Sequence, residues 1–248
     1  MTTNRPRVVG ISQARMTSTR LPGKVLMEAA GRPLLAHHLD RLRGCAALDA
    51  VVLATTVNAT DDPVAAMAGR IGVPVFRGDE HDVLGRFAGA AAAHDAEVVV
   101  RVTGDCPLID AELVDQAVGL FLDGRTEAPP VDYVAIDTTQ FPRGLDAEVF
   151  TRAALDEAAA RAADPVEREH VTPYIYRRPD RFRLGAPLRP DAPVEPHRWC
   201  VDEPADFELV RRVLEALPPG FGWQDVCTIL RSHPDWYRIN RAVPQKGV

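Results

Sequence analysis

Cysteine is scarce and scattered in this chain: Cys45, Cys106, Cys200 and Cys227 are the only four in 248 residues, and no two form a Cys-x-x-Cys pair. That spacing argues against a disulfide scaffold and against a zinc site, and leaves reduced thiols in a core. No long apolar run is present, so nothing reads as a membrane span. Basic residues are not in excess either. A formal net charge of −6 excludes a protein that grips nucleic acid through a broad basic face. The glycine-rich nucleotide signatures are also missing. No Gly-x-Gly-x-x-Gly occurs, which removes the dinucleotide-binding fingerprint. The glycine that a Walker loop places five positions before its Gly-Lys pair is Ser18 here, and Val25 follows Lys24 where that motif needs Ser or Thr.

What remains is an ordinary globular composition, 46% hydrophobic and 26% charged, long enough to bury one good core. A single domain over residues 1–248 is expected. The N-terminus Met-Thr-Thr-Asn-Arg-Pro-Arg lacks the apolar centre of a signal peptide, so a cytoplasmic location is expected.

The most informative segment runs from Ile11 to Leu26. An apolar strand signal, Val8-Val9-Gly10-Ile11, enters a loop that carries Arg15, Arg20 and Lys24 around Ser18, Thr19 and Gly23. Three cations and a run of free N–H groups just past a strand end suit a polyphosphate. The plainer alternative is a solvated basic turn. Because the whole chain is acidic, this positive charge is local, as a small anionic substrate requires.

The first 130 residues alternate apolar runs with amphipathic stretches. Val51–Ala54 and Glu97–Val102 read as buried parallel strands. Leu34, Leu35, His38, Leu39 and Leu42 fall at helical spacing behind Pro33. Asp61 or Asp62 before Pro63, and Asp82 before the alanine-rich stretch 83–94, read as helix caps. The alternation predicts an α/β fold, Rossmann-like (GT-A-like), with a mostly parallel sheet and helices on both faces. Such sheets bind ligands beyond the carboxyl ends of their strands, where the loops after Ile11 and Val102 both fall. From about residue 130 to 197 the texture changes to short strands around Tyr133 and Val149, a helix from Thr151 to Ala163, and proline-punctuated segments. This reads as an elaboration that covers the substrate and serves dimerisation. His197–Val201 reads as a strand returning to the main sheet, followed by a helix from Pro204 to Leu217.

Two aspartates complete the chemistry. Asp105, in Thr103-Gly104-Asp105-Cys106-Pro107, follows the most apolar strand. As a cap for a helix near Asp110 it would lie rather far away. Asp202, in Val201-Asp202-Glu203-Pro204, is equally suited to capping the next helix or to holding a ligand. A nucleoside triphosphate travels with Mg2+, which takes one or two carboxylates beside phosphate oxygens.

The pattern Q-A-R-M-x-S-T-R-L-P-G-K-V-L resembles the nucleotide-binding loop of the cytidylyltransferases that make CMP-activated sugars, especially their spore-coat polysaccharide branch. The family usually has glycine where this chain has Thr17. The resemblance also covers Gly-Asp-x-Pro at Asp105 and Val-Asp-x-Pro at Asp202, three motifs in order between Gln13 and Pro204. It implies CTP as substrate, Arg15, Lys24, Asp105 and Asp202 as catalytic residues, and Asp105 and Asp202 as metal ligands. Ala14, Arg15, Ser18, Arg20, Gly23 and Lys24 would bind the nucleotide, with Ala54, Thr55 and Thr56 at the base. Phe-Pro-x-Gly-Leu-Asp and Glu-Arg-Glu-His-Val-Thr-Pro recur in the family's acceptor region, which implies acceptor roles for Arg143, Asp146, Glu148, Arg168, Glu169 and His170. Read from charge alone, the second segment is more usually a solvated helix face. The implied reaction is transfer of CMP from CTP to a sugar acceptor, an acidic one by family habit, with release of pyrophosphate, by a homodimer that contacts neither nucleic acid nor membrane. Two alternatives stand beside it: a nucleotide-sugar glycosyltransferase, which would commonly carry an Asp-x-Asp that is absent here, and a nucleotide-binding protein without turnover.

Overall fold

Val8–Gln13 (β1) is apolar on both faces, because it lies at the centre of the sheet. The computed structural model describes residues 5–244. The first four residues of the amino-terminal segment lie outside them. After β1 come a small antiparallel pair, Glu28–Ala29 (β2) and Arg32–Pro33 (β3), then the helix Leu34–Arg43 (α1). Ala50–Thr56 (β4), Asp62–Arg70 (α2), Val75–Gly78 (β5), Val83–Ala93 (α3) and Val98–Thr103 (β6) follow in strict alternation, closed by Ala111–Gly124 (α4). The 130–197 segment supplies Tyr133–Ala135 (β7), Glu148–Thr151 (β8), Arg152–Arg161 (α5) and the short helices Pro165–His170 (α6) and Pro173–Tyr176 (α7). Pro204–Ala216 (α8), Trp223–Ser232 (α9) and Pro234–Tyr237 (α10) end the described chain.

The six-stranded sheet has the order β5-β4-β1-β6-β8-β7. β1 pairs in parallel with β4 and β6, and β4 in parallel with β5. β8 is antiparallel to β6 and to β7. The expected mostly parallel sheet is therefore present, and the elaboration contributes two of its strands. Side chains alternate across it: Val8, Leu53 and Val100 meet Leu35 and Leu39 of α1, Val114 of α4 and Val210 of α8, whereas Val9, Ile11 and Val52 meet Leu84 and Phe87 of α3 and Leu155 of α5. No helix among the described residues is long and apolar enough to cross a membrane. All four cysteines are buried and free.

Two local expectations are corrected. Residues 197–201 do not rejoin the sheet. Both edges of β6 are already taken, by β1 and β8, so this segment crosses the carboxyl end of the sheet. There it makes one bridge, Arg143 to Arg198, and donates Val201 N–H to the carbonyl of Asp105 at 2.8 Å. Its close approach to the turn at Gly144 (φ 103°) leaves no room for a Cβ, which would lie 2.7 Å from the Trp199 carbonyl carbon. Asp61, in turn, makes no capping hydrogen bond to α2. Asp82, Asp110 and Thr151 do cap their helices, accepting from Gly85, Leu113 and Ala154 N–H.

Candidate active site

The loop after β1 folds back on itself. Ser18 and Gly23 N–H both donate to the Met16 carbonyl at 2.9 Å, and Gly23 takes φ 72°, a left-handed conformation that favours glycine. The carboxylate of Asp61 explains its failure to cap: it accepts Met16 N–H at 2.7 Å and the Thr56 hydroxyl, fastening the loop to the end of β4. Glu80 holds the other side. It accepts from Thr17 Oγ1 at 2.5 Å, from Asn58 Nδ2 at 2.5 Å and from Arg15 Nη1 at 3.4 Å. These hydrogen bonds hold its carboxyl below the usual glutamate range. Thr17 thus uses a hydroxyl that glycine lacks, which accounts for the irregular residue in the motif.

Lys24 is the electrostatic centre. Its Nζ lies 2.8 Å from an oxygen of Asp105 and 2.8 Å from one of Asp202, and Arg20 Nη2 lies 2.8 Å from the same Asp202 oxygen. Burial alone would discharge Lys24, but the two carboxylates hold its pKa above the ordinary lysine value. Burial likewise opposes the charge on Asp105, and Lys24 overcomes it, holding that carboxyl at about 2. Neither aspartate is a helix cap. Asp110 caps α4, and Asp206 accepts Asp202 and Glu203 N–H at 3.0 Å each in the first turn of α8. Asp202 is free to face the loop, steadied by Arg198 Nη2 at 2.6 Å. Arg198 also binds Asp206, whose Oδ1 is shared with Asn240 near the end of the described chain.

These residues line a cavity of about 330 Å³ with Gln13, Ala14, Arg15, Ser18, Thr19, Val83, Arg86, Thr103, Glu169 and His170. Of the expected acceptor residues, Glu169 and His170 reach it. They precede a tight turn in which Thr172 N–H donates to the His170 carbonyl at 2.8 Å, with Val171 at φ 71° and ψ −60°. That conformation is rare and strained for a β-branched residue. Burial lowers the pKa of His170 and favours its neutral ring. The other expected residues have partners in the frame. Arg168 pairs with Asp82 and donates to the carbonyls of Ala159 and Ala162. Glu148 takes Arg101, the Tyr133 hydroxyl at 2.6 Å and the Thr172 hydroxyl at 2.6 Å. Asp146 accepts Gly144 N–H at 2.6 Å and pairs with Arg143 at 3.1 Å, while burial raises its pKa. Ala54, Thr55 and Thr56 are fully buried. Ala54 offers its carbonyl to Ala14 N–H at 3.3 Å.

Gln13, Arg86 and Thr103 were not singled out from the sequence. One signal was available for Arg86: it is the lone charge in the apolar helix Val83–Ala93.

A parallel sheet whose carboxyl edge carries a cation loop and two opposed aspartates defines the nucleotidyltransferase class. Residues 9–213 match the cytidylyltransferase family. The chain is 39% identical over 243 residues to an uncharacterised protein of Methanocaldococcus jannaschii, covering 97% of each. It is 34% identical over 238 residues to the spore coat polysaccharide biosynthesis protein SpsF of Bacillus subtilis, covering 92% of this chain and 95% of that one. With a 3-deoxy-manno-octulosonate cytidylyltransferase of Solibacter usitatus it shares 34% identity over 204 residues, 76% and 78% of the two chains. A solved cytidylyltransferase from Leptospira borgpetersenii superposes with a TM-score of 0.89 at 30% identity, over 97% of this chain and 100% of that one. The chain belongs to the cytidylyltransferase family and is a CTP-dependent nucleotidyltransferase.

Proposed function

We propose that this enzyme transfers CMP from CTP to a hydroxyl of an acidic sugar, releasing pyrophosphate, in the synthesis of a polysaccharide or glycoconjugate precursor. The observation that carries the reading is the cluster of Lys24, Arg20, Asp105 and Asp202, with Lys24 Nζ 2.8 Å from both carboxylates, in a cavity that runs on to Glu169 and His170. An acceptor oxygen forms a bond to the α-phosphorus, the bridging bond to the β-phosphate breaks, and the hydroxyl proton is released. Arg15, Arg20 and Lys24 balance the charge on the triphosphate, helped by the backbone N–H groups of Thr19 and Arg20, since those of Ser18 and Gly23 are already taken by the Met16 carbonyl. The resemblance of the Glu167–Thr172 segment to a sugar-acceptor region, together with the likeness to a 3-deoxy-manno-octulosonate enzyme, supports an acidic sugar.

Asp105 and Asp202 suit Mg2+ by their chemistry: they are hard oxygen donors facing one point, and Asp105 is ionised at any physiological pH. Among the described residues no third His, Cys, Asp or Glu joins them, which fits an ion that completes its shell with phosphate and water. When bound, the ion supplies Lewis-acid stabilisation of the phosphate charge. Arg198, on the carboxylate, and Asp206, on the backbone N–H, hold Asp202 facing Lys24, where it would serve as a ligand.

The test is a pyrophosphate-release screen of CTP, UTP, ATP and GTP against acidic sugars and sugar phosphates. CTP with an acidic sugar should release pyrophosphate, and Asp105→Asn should lower that rate by at least a hundredfold. Release confined to sugar phosphates refutes the acceptor class, and near-normal turnover of Asp105→Asn refutes the metal assignment. A homodimer belongs to the same reading; light scattering at twice the chain mass checks it.

A further inference from the structure

Arg86 is 3% exposed, and its side chain makes no hydrogen bond or ion pair among the described residues; Nε and Nη1 are buried and unsatisfied. Burying a guanidinium with no partner is costly, and proteins seldom keep such a group without a ligand for it. It lies against Gly78 at the end of β5, where a Cβ would fall 2.8 Å from its Cγ, so a side chain at 78 would displace it. It lines the active-site cavity, as does Gln13, whose Oε1 is likewise buried and unpartnered. Gln13 shares the α3-facing side of the sheet with Val9 and Ile11, by strand alternation.

The place of Arg86 within the cavity decides what it meets. It packs against Gly78, the register partner of Thr56 in the β4–β5 pair, so it lies beside Ala54, Thr55 and Thr56, the residues expected at the base. Arg86 therefore lines the β4–β5 side of the cavity, where the nucleobase is expected.

We propose that Arg86 reads the cytosine ring, an inference that rests on CTP being the nucleotide. Its guanidinium only donates. Cytosine presents two acceptors on one edge, O2 and N3, whereas uracil presents N3–H, a donor that a guanidinium cannot pair with. Gln13 Oε1 accepts from the N4 amine, which uracil replaces with an acceptor. Discrimination follows from the group left unpaired in a buried site.

The experiment measures calorimetric affinity for CTP, UTP and inorganic tripolyphosphate in the intact enzyme and in Arg86→Met. Wild type should prefer CTP over UTP. Arg86→Met should weaken CTP by about 10- to 100-fold, bring CTP and UTP within about threefold of each other, and leave tripolyphosphate unchanged. It should also melt no lower than wild type, since it removes an uncompensated buried charge. Equal weakening of all three ligands would make Arg86 a phosphate ligand or a structural residue and overturn the proposal. So would a CTP preference that survives in Arg86→Met. A wild type that binds CTP and UTP alike instead removes the nucleotide assignment beneath it. Gln13→Leu gives an independent reading if Arg86→Met does not fold: its CTP affinity should fall more than its UTP affinity, and an equal fall counts against base reading.

Discussion

Replacing Lys24 by Met keeps the length and packing of the buried stem and deletes only the ammonium between Asp105 and Asp202. The size of the effect can be worked from the carboxylate it serves. Asp105 sits at about 2 against an ordinary 3.8, and a tenfold change in proton affinity corresponds to about 1.4 kcal/mol between its two protonation states. The Asp105 side chain is 26% exposed, so solvent screening puts the loss at the lower end, about 2 kcal/mol of stability at neutral pH. The sign follows from a depressed carboxylate. The unfolded chain takes up a proton near 3.8 and the folded chain only near 2, so the contribution is complete above the first value and disappears toward the second. Urea denaturation at pH 7 should therefore show a lower midpoint for Lys24→Met with an unchanged slope. Two unbridged carboxylates also make a cation site, so the melting temperature of Lys24→Met without nucleotide should rise with added Mg2+ more than that of wild type. Turnover should fall by at least a hundredfold, because a charge on the triphosphate goes unbalanced. An unchanged urea midpoint together with retained turnover would refute the placing of Lys24 at the centre of the site.

Two further outcomes follow from groups beside the site. Asp61→Ala releases Met16 N–H and the Thr56 hydroxyl, two bonds to a buried carboxylate; the loop should loosen, raising the KM for CTP about tenfold with less effect on kcat, at a stability cost of about 2 kcal/mol. Steady-state pyrophosphate release and urea denaturation read the two numbers, and an unchanged KM would show that the loop holds its shape without this anchor. His38 is fully buried between the Ser12 hydroxyl at 2.8 Å and the Cys106 carbonyl at 2.9 Å, and burial lowers its pKa to about 4. The unfolded chain gains a proton at His38 near 6.5 that the folded chain refuses until about 4, so stability should fall by up to about 3 kcal/mol as pH drops through that window. Denaturation at pH 7 and pH 4.5, for wild type and His38→Gln, isolates this share; equal pH dependence in both would assign it elsewhere.

The parallel core was legible because its signals are local. Val98 to Thr103 is apolar enough to be buried on both faces, and Asp82 and Asp110 lie directly before the helices they cap. Asp61 looked like the same kind of cap and is not, because its partners, Met16 N–H and Thr56, come from other elements. The acceptor segments show the same limit. Arg143, Arg168 and Glu148 are charged residues in a recurring pattern, yet their neighbours Asp146, Asp82 and Arg101 draw them into the frame and leave Glu169 and His170 to face the cavity. Residues 197–201 have the composition of a strand, and only the filled edges of β6 keep them out of the sheet.

By itself the sequence determined the strand–helix alternation, the cation loop at 15–24 and Asp105 beyond the end of β6, because each depends on residue type and short-range spacing. The tertiary structure alone decided that Lys24 bridges Asp105 and Asp202, 81 and 178 positions away. It also decided that Glu80 binds Thr17, and that Arg86 is buried with its donors unpaired. Those outcomes depend on which strands lie side by side and on which charges find a partner when they do, and neither is written in local spacing.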